Sequence, residues 1–364
     1  MTGPLERLAS ERIPFVLCSY SSLDRYFRVR EPGPLYLVTD SEIWALARVF
    51  DDLEYPGLPL EDAVVRGDGE RIVFRCVDSL ASPLAVPFTV MRLLYDPDRD
   101  SFLDRAEVYP DLRAAGLTWV SDGQPDWVGL CEAARLVSRY HYHAEGSYGW
   151  APGRALPPAA YQRELLAGLL SSRRPEKGLA LLEQAEFVRE AWPELAEMGV
   201  IPHVKDYHPE GNVWEHTLET LKYRKRMDPV LSLALLLHDA GKPQAEGSGE
   251  RRFDGHSELG ARVAARFLGR LGFAEQLVSD VAFLVRYHMM PAALAQLPPF
   301  RTEPVMASPL FPRLLELYRA DLSSSYTDEE GYYAACRVYQ RYLKDQGNPY
   351  LDIVKRKRAA ARRR

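Results

Sequence analysis

The chain has 364 residues, 46% of them hydrophobic and 27% charged, and 46 Lys and Arg against 51 Asp and Glu leave a formal net charge of -5. That is enough chain for two or three domains with a large core, and too acidic a balance for a protein that coats nucleic acid over its whole surface, although Val354 to Arg364 (VKRKRAAARRR) is a local basic patch. The four cysteines, Cys18, Cys76, Cys131 and Cys336, are scattered with no CxxC pair, which argues against a disulfide framework or a cysteine-zinc site and fits a reducing compartment. The N-terminus has no charged start followed by an apolar signal run, and the longest apolar run, Leu231 to Leu237, is too short to span a bilayer. The expectation is a cytoplasmic protein with no membrane partner.

In chain order, the first hundred residues read as mixed α/β. Ile13 to Cys18 and Leu35 to Val38 have the form of short buried strands, with one or two helical turns between them at Ser21 to Val29. Ser41 to Phe50 carries apolar residues at helical spacing, with Ser41 as N-cap. Asp62 to Val65 and Arg71 to Val77 form a hairpin about the Gly67-Asp68-Gly69 turn, and Pro87 to Tyr95 is a further strand that ends in the polar turn Asp96 to Asp100.

The middle of the chain is helical in pattern: Asp126 to His143, Ala159 to Leu170 and Lys177 to Ala191, punctuated by Pro152, Pro157-Pro158 and Pro175. His141 and His143 lie two apart, so a helix would point them to different faces and they would not ligate as a pair. From Ile201 the pattern is almost wholly helical, with helices predicted at Asn212 to Arg226, Pro229 to Ala240, Ser257 to Leu271, Glu275 to His288, Phe311 to Asp321 and Glu330 to Lys344.

The chemistry concentrates in these later helices. The apolar run LSLALLLHDAGK (Leu231 to Lys242) ends on His238-Asp239. A buried imidazole and carboxylate need partners, and a metal ion satisfies both. His208, His216, His256, His288 and Asp321 lie in the neighbouring segments. Neutral imidazole and carboxylate form a mixed N/O donor set that suits Mn, Ni, Fe, Zn or Mg.

The order His216, His238-Asp239, Asp321 resembles the HD superfamily of metal-dependent phosphohydrolases, and His256 and His288 match the subset with extra histidines. At closer range HPEGNVWEHTL (His208 to Leu218), LLLHDAGKP and FDGHSELGA resemble the C-terminal HD domain of bacterial CCA-adding enzymes. In the N-terminal part LVTDSEIWALARVF and LLYDPDRDSFLDRAEVYPDLRAAGL resemble the framework of the same class II tRNA nucleotidyltransferase and poly(A) polymerase family. The family's chemistry is missing there. Its glycine pair falls on Ser19-Tyr20, the following Arg-Asp on Leu23-Asp24, its metal-binding Asp-x-Asp on Pro34-Leu35-Tyr36, and its Arg-Arg-Asp…Asn motif on Ala85-Val86-Pro87 and Met91. Of the neck's arginines only Arg135 stays in place, with Gly129 and Glu132 at the other positions. Transfer of a nucleotidyl group needs carboxylates to hold Mg²⁺ against the phosphates, which proline, leucine and tyrosine cannot do.

The resemblance implies an α+β chain: a small mixed β-sheet nucleotidyltransferase-like domain (residues 1–122), an all-α neck (123–200), an all-α HD domain (201–328), and a C-terminal helix with a basic tail (329–364). It implies metal ligation by His216, His238, Asp239 and Asp321. His256 and His288 would add a second position bridged by Asp239, unless they serve packing or hydrogen bonding to the ligands. Lys242 would contact phosphate, or else cap as a surface cation, and His208 and Arg286 are candidates for general acid or phosphate binding. One or two divalent ions per site would serve a phosphohydrolase acting on nucleotide or RNA-end phosphomonoesters or 2′,3′-cyclic phosphodiesters. The alternatives are a tRNA- or RNA-binding relative that uses the basic tail, and a nucleotidyltransferase rebuilt on Asp24, Asp40 and Asp78, which requires those scattered carboxylates to converge.

Overall fold

A computed structural model describes residues 3–30, 33–67, 70–120, 126–145, 148–202, 211–245, 253–325 and 328–346. The chain divides into two compact units, Met1–Glu190 and Ala191–Arg364. Among the described residues no helix is long and apolar enough to cross a membrane.

The first unit holds a mixed seven-stranded sheet: β1 (Val16–Leu17), β2 (Leu35–Thr39), β3 (Leu53–Glu54), β4 (Ala63–Gly67), β5 (Glu70–Cys76), β6 (Leu94–Asp96) and β7 (Ser101–Leu103), in the order β3-β4-β5-β2-β1-β6-β7. Only β2 and β5 are parallel, with Leu37 opposite Phe74. The β4–β5 hairpin pairs Val64 with Val73, as the turn signal predicts; residues 68 and 69 lie outside the described set. One face of the sheet packs Leu37, Ala63, Val65, Ile72 and Phe74 against Leu46, Val49 and Phe50. These last three belong to the helix Ile43–Val49 and the residue after it.

Several elements differ from the sequence pattern. Ser41 is not the cap of its helix. The helix begins at Ile43 after Glu42, without a side-chain cap, and the Ser41 amide donates instead to Thr39 Oγ1 at 3.1 Å. Pro87 to Tyr95 is not one strand, since Thr89–Arg92 is a 3-10 turn before β6. Val86, Phe88, Val90, Met91 and Leu93 are all buried, so the stretch lacks the alternation that separates a strand from buried coil. The helix Asp126–Arg139 stops short of His141 and His143, and the His143 amide donates to Ala115 O at 2.7 Å; the argument from helix faces does not apply to them. Lys177 to Ala191 is two helices, Pro175–Gln184 and Phe187–Ala191. They separate at Glu186, whose φ of 63° places it in the left-handed region that ends helices.

The second unit is helical. The helix Val213–Lys222 starts at Asn212, whose side chain accepts from Glu215 N. The helix Pro229–Leu237 starts at Asp228, whose side chain accepts from Leu231 N, with Pro229 in the first turn where no amide partner is lost. Every residue from Leu231 to Leu237 is buried, so this is the central helix of the unit. Val213–Lys222, Glu275–Tyr287 and Phe311–Ser324 pack on it, and His256–Arg270 packs on Glu275–Tyr287, with Val263, Phe267, Leu284, Val285, Phe311 and Leu314 buried. A last helix, Glu330–Gln346, follows; the basic tail lies outside the described residues.

Candidate metal centre

The site is built where helices end. His238 is the C-cap of the central helix and His288 the C-cap of Glu275–Tyr287. His256 opens the helix His256–Arg270 after Gly255, while His216 and Asp321 project from within Val213–Lys222 and Phe311–Ser324. Five elements therefore converge on Asp239. His216, His238, Asp239 and His288 are each no more than 2% exposed.

The donors fall into two groups: His216, His238 and Asp321, and Asp239, His256 and His288. Asp239 faces both. Its Oδ2 is 3.3 Å from His238 Nε2 and 3.9 Å from His216 Nε2, and its Oδ1 is 3.7 Å from His256 Nε2 and 3.9 Å from His288 Nε2. Asp321 Oδ1 lies 3.0 Å from His216 Nε2 and 3.8 Å from His238 Nε2. Lys242 Nζ donates to Asp239 Oδ2 at 2.6 Å and stands 5.6 Å from the centre of the Phe253 ring.

Backbone carbonyls set the histidine tautomers. His238 Nδ1 donates to Leu235 O at 2.8 Å, His256 Nδ1 to Phe253 O at 2.8 Å and His288 Nδ1 to Val285 O at 2.7 Å. A carbonyl can only accept, so each Nδ1 carries a proton, and in its neutral form each ring presents its Nε2 lone pair to the cluster. Two consequences favour a cation. His256 Nε2 and His288 Nε2 are 3.2 Å apart, lone pair toward lone pair. His238 Nε2 is buried and makes no hydrogen bond among the described residues. Burial pushes His288 down to about 4, helped by the neighbouring His238, and burial also holds His256 below the usual imidazole range. Both rings are neutral at pH 7, the form that coordinates metal. For Asp321, burial alone would raise the carboxyl, but the His216 hydrogen bond and the nearby imidazoles outweigh it and hold it below the usual carboxylate range. Buried N/O donors with fixed tautomers and opposed lone pairs fit a divalent ion in each group.

Arg286 stands apart. It is exposed and lies 5.8 Å from the centre of the Tyr287 ring, with no hydrogen bond or ion pair to the cluster among the described residues. His208 lies outside the described residues. The carbonyls of Leu235, Phe253 and Val285 were not visible to sequence reasoning, although each lies three residues before its histidine.

In the first unit the alternative of a carboxylate site rebuilt on Asp24, Asp40 and Asp78 finds no support among the described residues. Asp40 and Asp78 are exposed. Asp24 is neither a surface nor a capping carboxylate: it is buried, its Oδ1 accepting from Arg139 Nε at 2.6 Å and from Tyr140 Oη at 2.7 Å. Among the described residues these three form no metal-type group. A cavity of about 150 Å³ is lined by Tyr20, Tyr36, Arg71, Arg135, Arg139 and Glu164. Its arginines are matched from within: Arg71 to Glu61 at 2.5 Å, Arg135 to Glu132 at 3.2 Å and Arg139 to Asp24.

Fold and site together describe a mixed-sheet unit followed by a helical unit that carries an HD-type cluster of histidines and aspartates. Residues 213–323 match the HD domain family, and the chain is similar to tRNA nucleotidyltransferases over about half its length. It is 34% identical over 201 residues to a CC-adding tRNA nucleotidyltransferase of Thermus thermophilus, covering 52% of this chain and 45% of that protein. It is 32% identical over 206 residues to an A-adding tRNA nucleotidyltransferase of Deinococcus radiodurans, covering 52% and 46%. The chain thus matches less than half the length of these relatives. The crystal structure of the Bacillus stearothermophilus CCA-adding enzyme in complex with CTP aligns over 94% of this chain and 83% of that one, with a TM-score of 0.51 at 14% identity, a likeness of fold.

Proposed function

We propose that the chain is a metal-dependent phosphohydrolase of the HD type, acting on phosphomonoesters or 2′,3′-cyclic phosphodiesters of nucleotides or RNA ends, and that its nucleotidyltransferase-like unit is inactive. The observation that carries the reading is the pair of donor groups sharing Asp239, with the His256 and His288 lone pairs 3.2 Å apart. His216, His238, Asp321 and one oxygen of Asp239 would hold one divalent ion; His256, His288 and the other oxygen would hold a second. Ions so placed make water a nucleophile at neutral pH and neutralise charge on a phosphoryl group. Lys242, anchored on Asp239 within the same turn, supplies the cation that orients the substrate phosphate. Arg286 and His208 are assigned no contact.

The test uses the full chain stripped of metal and reloaded with Mn²⁺ or Ni²⁺. Hydrolysis of a generic phosphodiester or phosphomonoester is expected, and His238→Ala or Asp239→Ala should reduce it to background. Demonstrable metal binding with no turnover across a substrate panel would sink the assignment. A second reading, binding of tRNA or another RNA, is favoured by the relatives, which are named as tRNA nucleotidyltransferases. Removal of the residues after Leu351 should weaken RNA binding in a salt-dependent way if the basic tail makes phosphate contacts.

A further inference from the structure

The His238–Lys242 turn lies directly on the helix that carries His256. Residues 256 and 260 are four apart and share one face of that helix, and the turn sits on this face. A Cβ added at Gly241 would collide with the carbonyl oxygen of His256 and the amide nitrogen of Gly260, and would fall 2.9 Å from Gly260 Cα. All three are backbone atoms, so nothing can swing aside. A Cβ at Gly260 would meet Val285 Cγ1 at 3.1 Å, Gly241 N at 3.3 Å and His238 O at 3.5 Å. Gly260 is buried. The chain segments bearing His238, Asp239, His256 and His288 therefore meet at one glycine-on-glycine contact.

We propose that Gly241, seated on Gly260, is the positioning residue that sets His256 against Asp239, and so decides whether the His256–His288 half of the centre takes an ion of its own. The inference rests on the two-ion reading given above. A side chain at 241 must push the first turn of His256–Arg270 away, which lengthens the 3.7 Å approach of His256 Nε2 to Asp239 Oδ1. The other donor group involves neither His256 nor its helix, so its ion should be kept.

The experiment titrates metal-free full-length chain with Mn²⁺, counting bound ions by elemental analysis and reading their coupling by electron paramagnetic resonance. Wild type should bind two ions with the multiline signal of a coupled pair. His256→Ala should bind one, with the spectrum of isolated Mn²⁺, and Gly241→Ala should behave like His256→Ala. Gly260→Ala meets looser contacts and should weaken the second ion by about tenfold, the low end of losses seen when groups supporting a metal ligand are disturbed. Gly241→Ala that keeps two coupled ions overturns the inference. So does a folded Gly241→Ala that loses both ions, because the glycine would then support the whole unit and not one half of the centre. If Gly241→Ala does not fold, Gly260→Ala decides, and unchanged affinity for the second ion overturns the inference. A wild-type chain that binds a single ion overturns the two-ion reading itself, and the role of Gly241 with it.

Discussion

Asp239 differs from every other residue of the centre in that each of its oxygens faces a different pair of imidazoles. Asp321 faces only the His216–His238 side. The two carboxylates are therefore not equivalent, and charge-removing substitutions of similar size should separate them. Asp239→Asn should leave no tightly bound ion, because each donor group loses its share of the one carboxylate they have in common. Asp321→Asn should remove one ion and leave the His256–His288 ion in place. Elemental analysis of the purified variants checks both, and equal losses in the two would show that the donor groups do not bind independently. Hydrolysis should fall to background in Asp239→Asn, since no ion remains to activate water.

The elements around the centre are held by ordinary caps, and their contributions can be ranked. Asp228 accepts from Leu231 N at 3.1 Å through one oxygen and from Arg313 Nε at 2.6 Å through the other. Loss of an N-cap costs about 1 kcal/mol. The Arg313 side chain is 42% exposed, so its ion pair contributes only about 0.2–1 kcal/mol. Asp228→Ala should lower unfolding free energy by about 1–2 kcal/mol and Arg313→Ala by less than half of that, as read by denaturant titration of the metal-free chain. The reverse order would mean that the ion pair and not the cap fixes the start of the central helix. This helix was legible in the sequence because its apolar run is continuous. The His238–Asp239 pair was legible for the same reason, as polar groups at a buried end. What escaped was set by single backbone atoms or by burial on every side. Glu186 splits a periodic stretch through a left-handed φ that nothing in its side chain announces. From Val86 to Leu93 every residue but Thr89 and Arg92 is buried, so periodicity had nothing to report. The carbonyls that fix three histidine tautomers belong to Leu235, Phe253 and Val285, whose side chains say nothing about the role.

For the molecule as a whole, the proposal that the first unit adds no nucleotide can be argued from its charges. The argument is one of charge already spent inside the protein. A triphosphate needs cations free to meet it and carboxylates to hold its metal ion. Around the cavity of the first unit, Arg71, Arg135 and Arg139 are engaged with Glu61, Glu132 and Asp24, and Tyr36 stands on the lining where the resembled family carries an aspartate. Glu132 is further held by the hydroxyls of Tyr20 and Tyr161. The networks of Asp24 and Glu132 tie the helices Ser19–Phe27 and Ala159–Leu170 to the helix Asp126–Arg139, and breaking one leaves a buried charge without its partner. Asp24→Ala strands Arg139 and should destabilise the chain by about 3–5 kcal/mol, the usual cost of removing one member of a buried pair, while the ion count of the second unit stays at the wild-type value. Wild-type protein given tRNA, labelled ATP or CTP and either Mg²⁺ or Mn²⁺ should incorporate no nucleotide under conditions in which it hydrolyses phosphoesters. Incorporation would mean that the arginines release their internal carboxylates to substrate, and Asp24→Ala would then raise incorporation where a purely structural network predicts only a less stable protein.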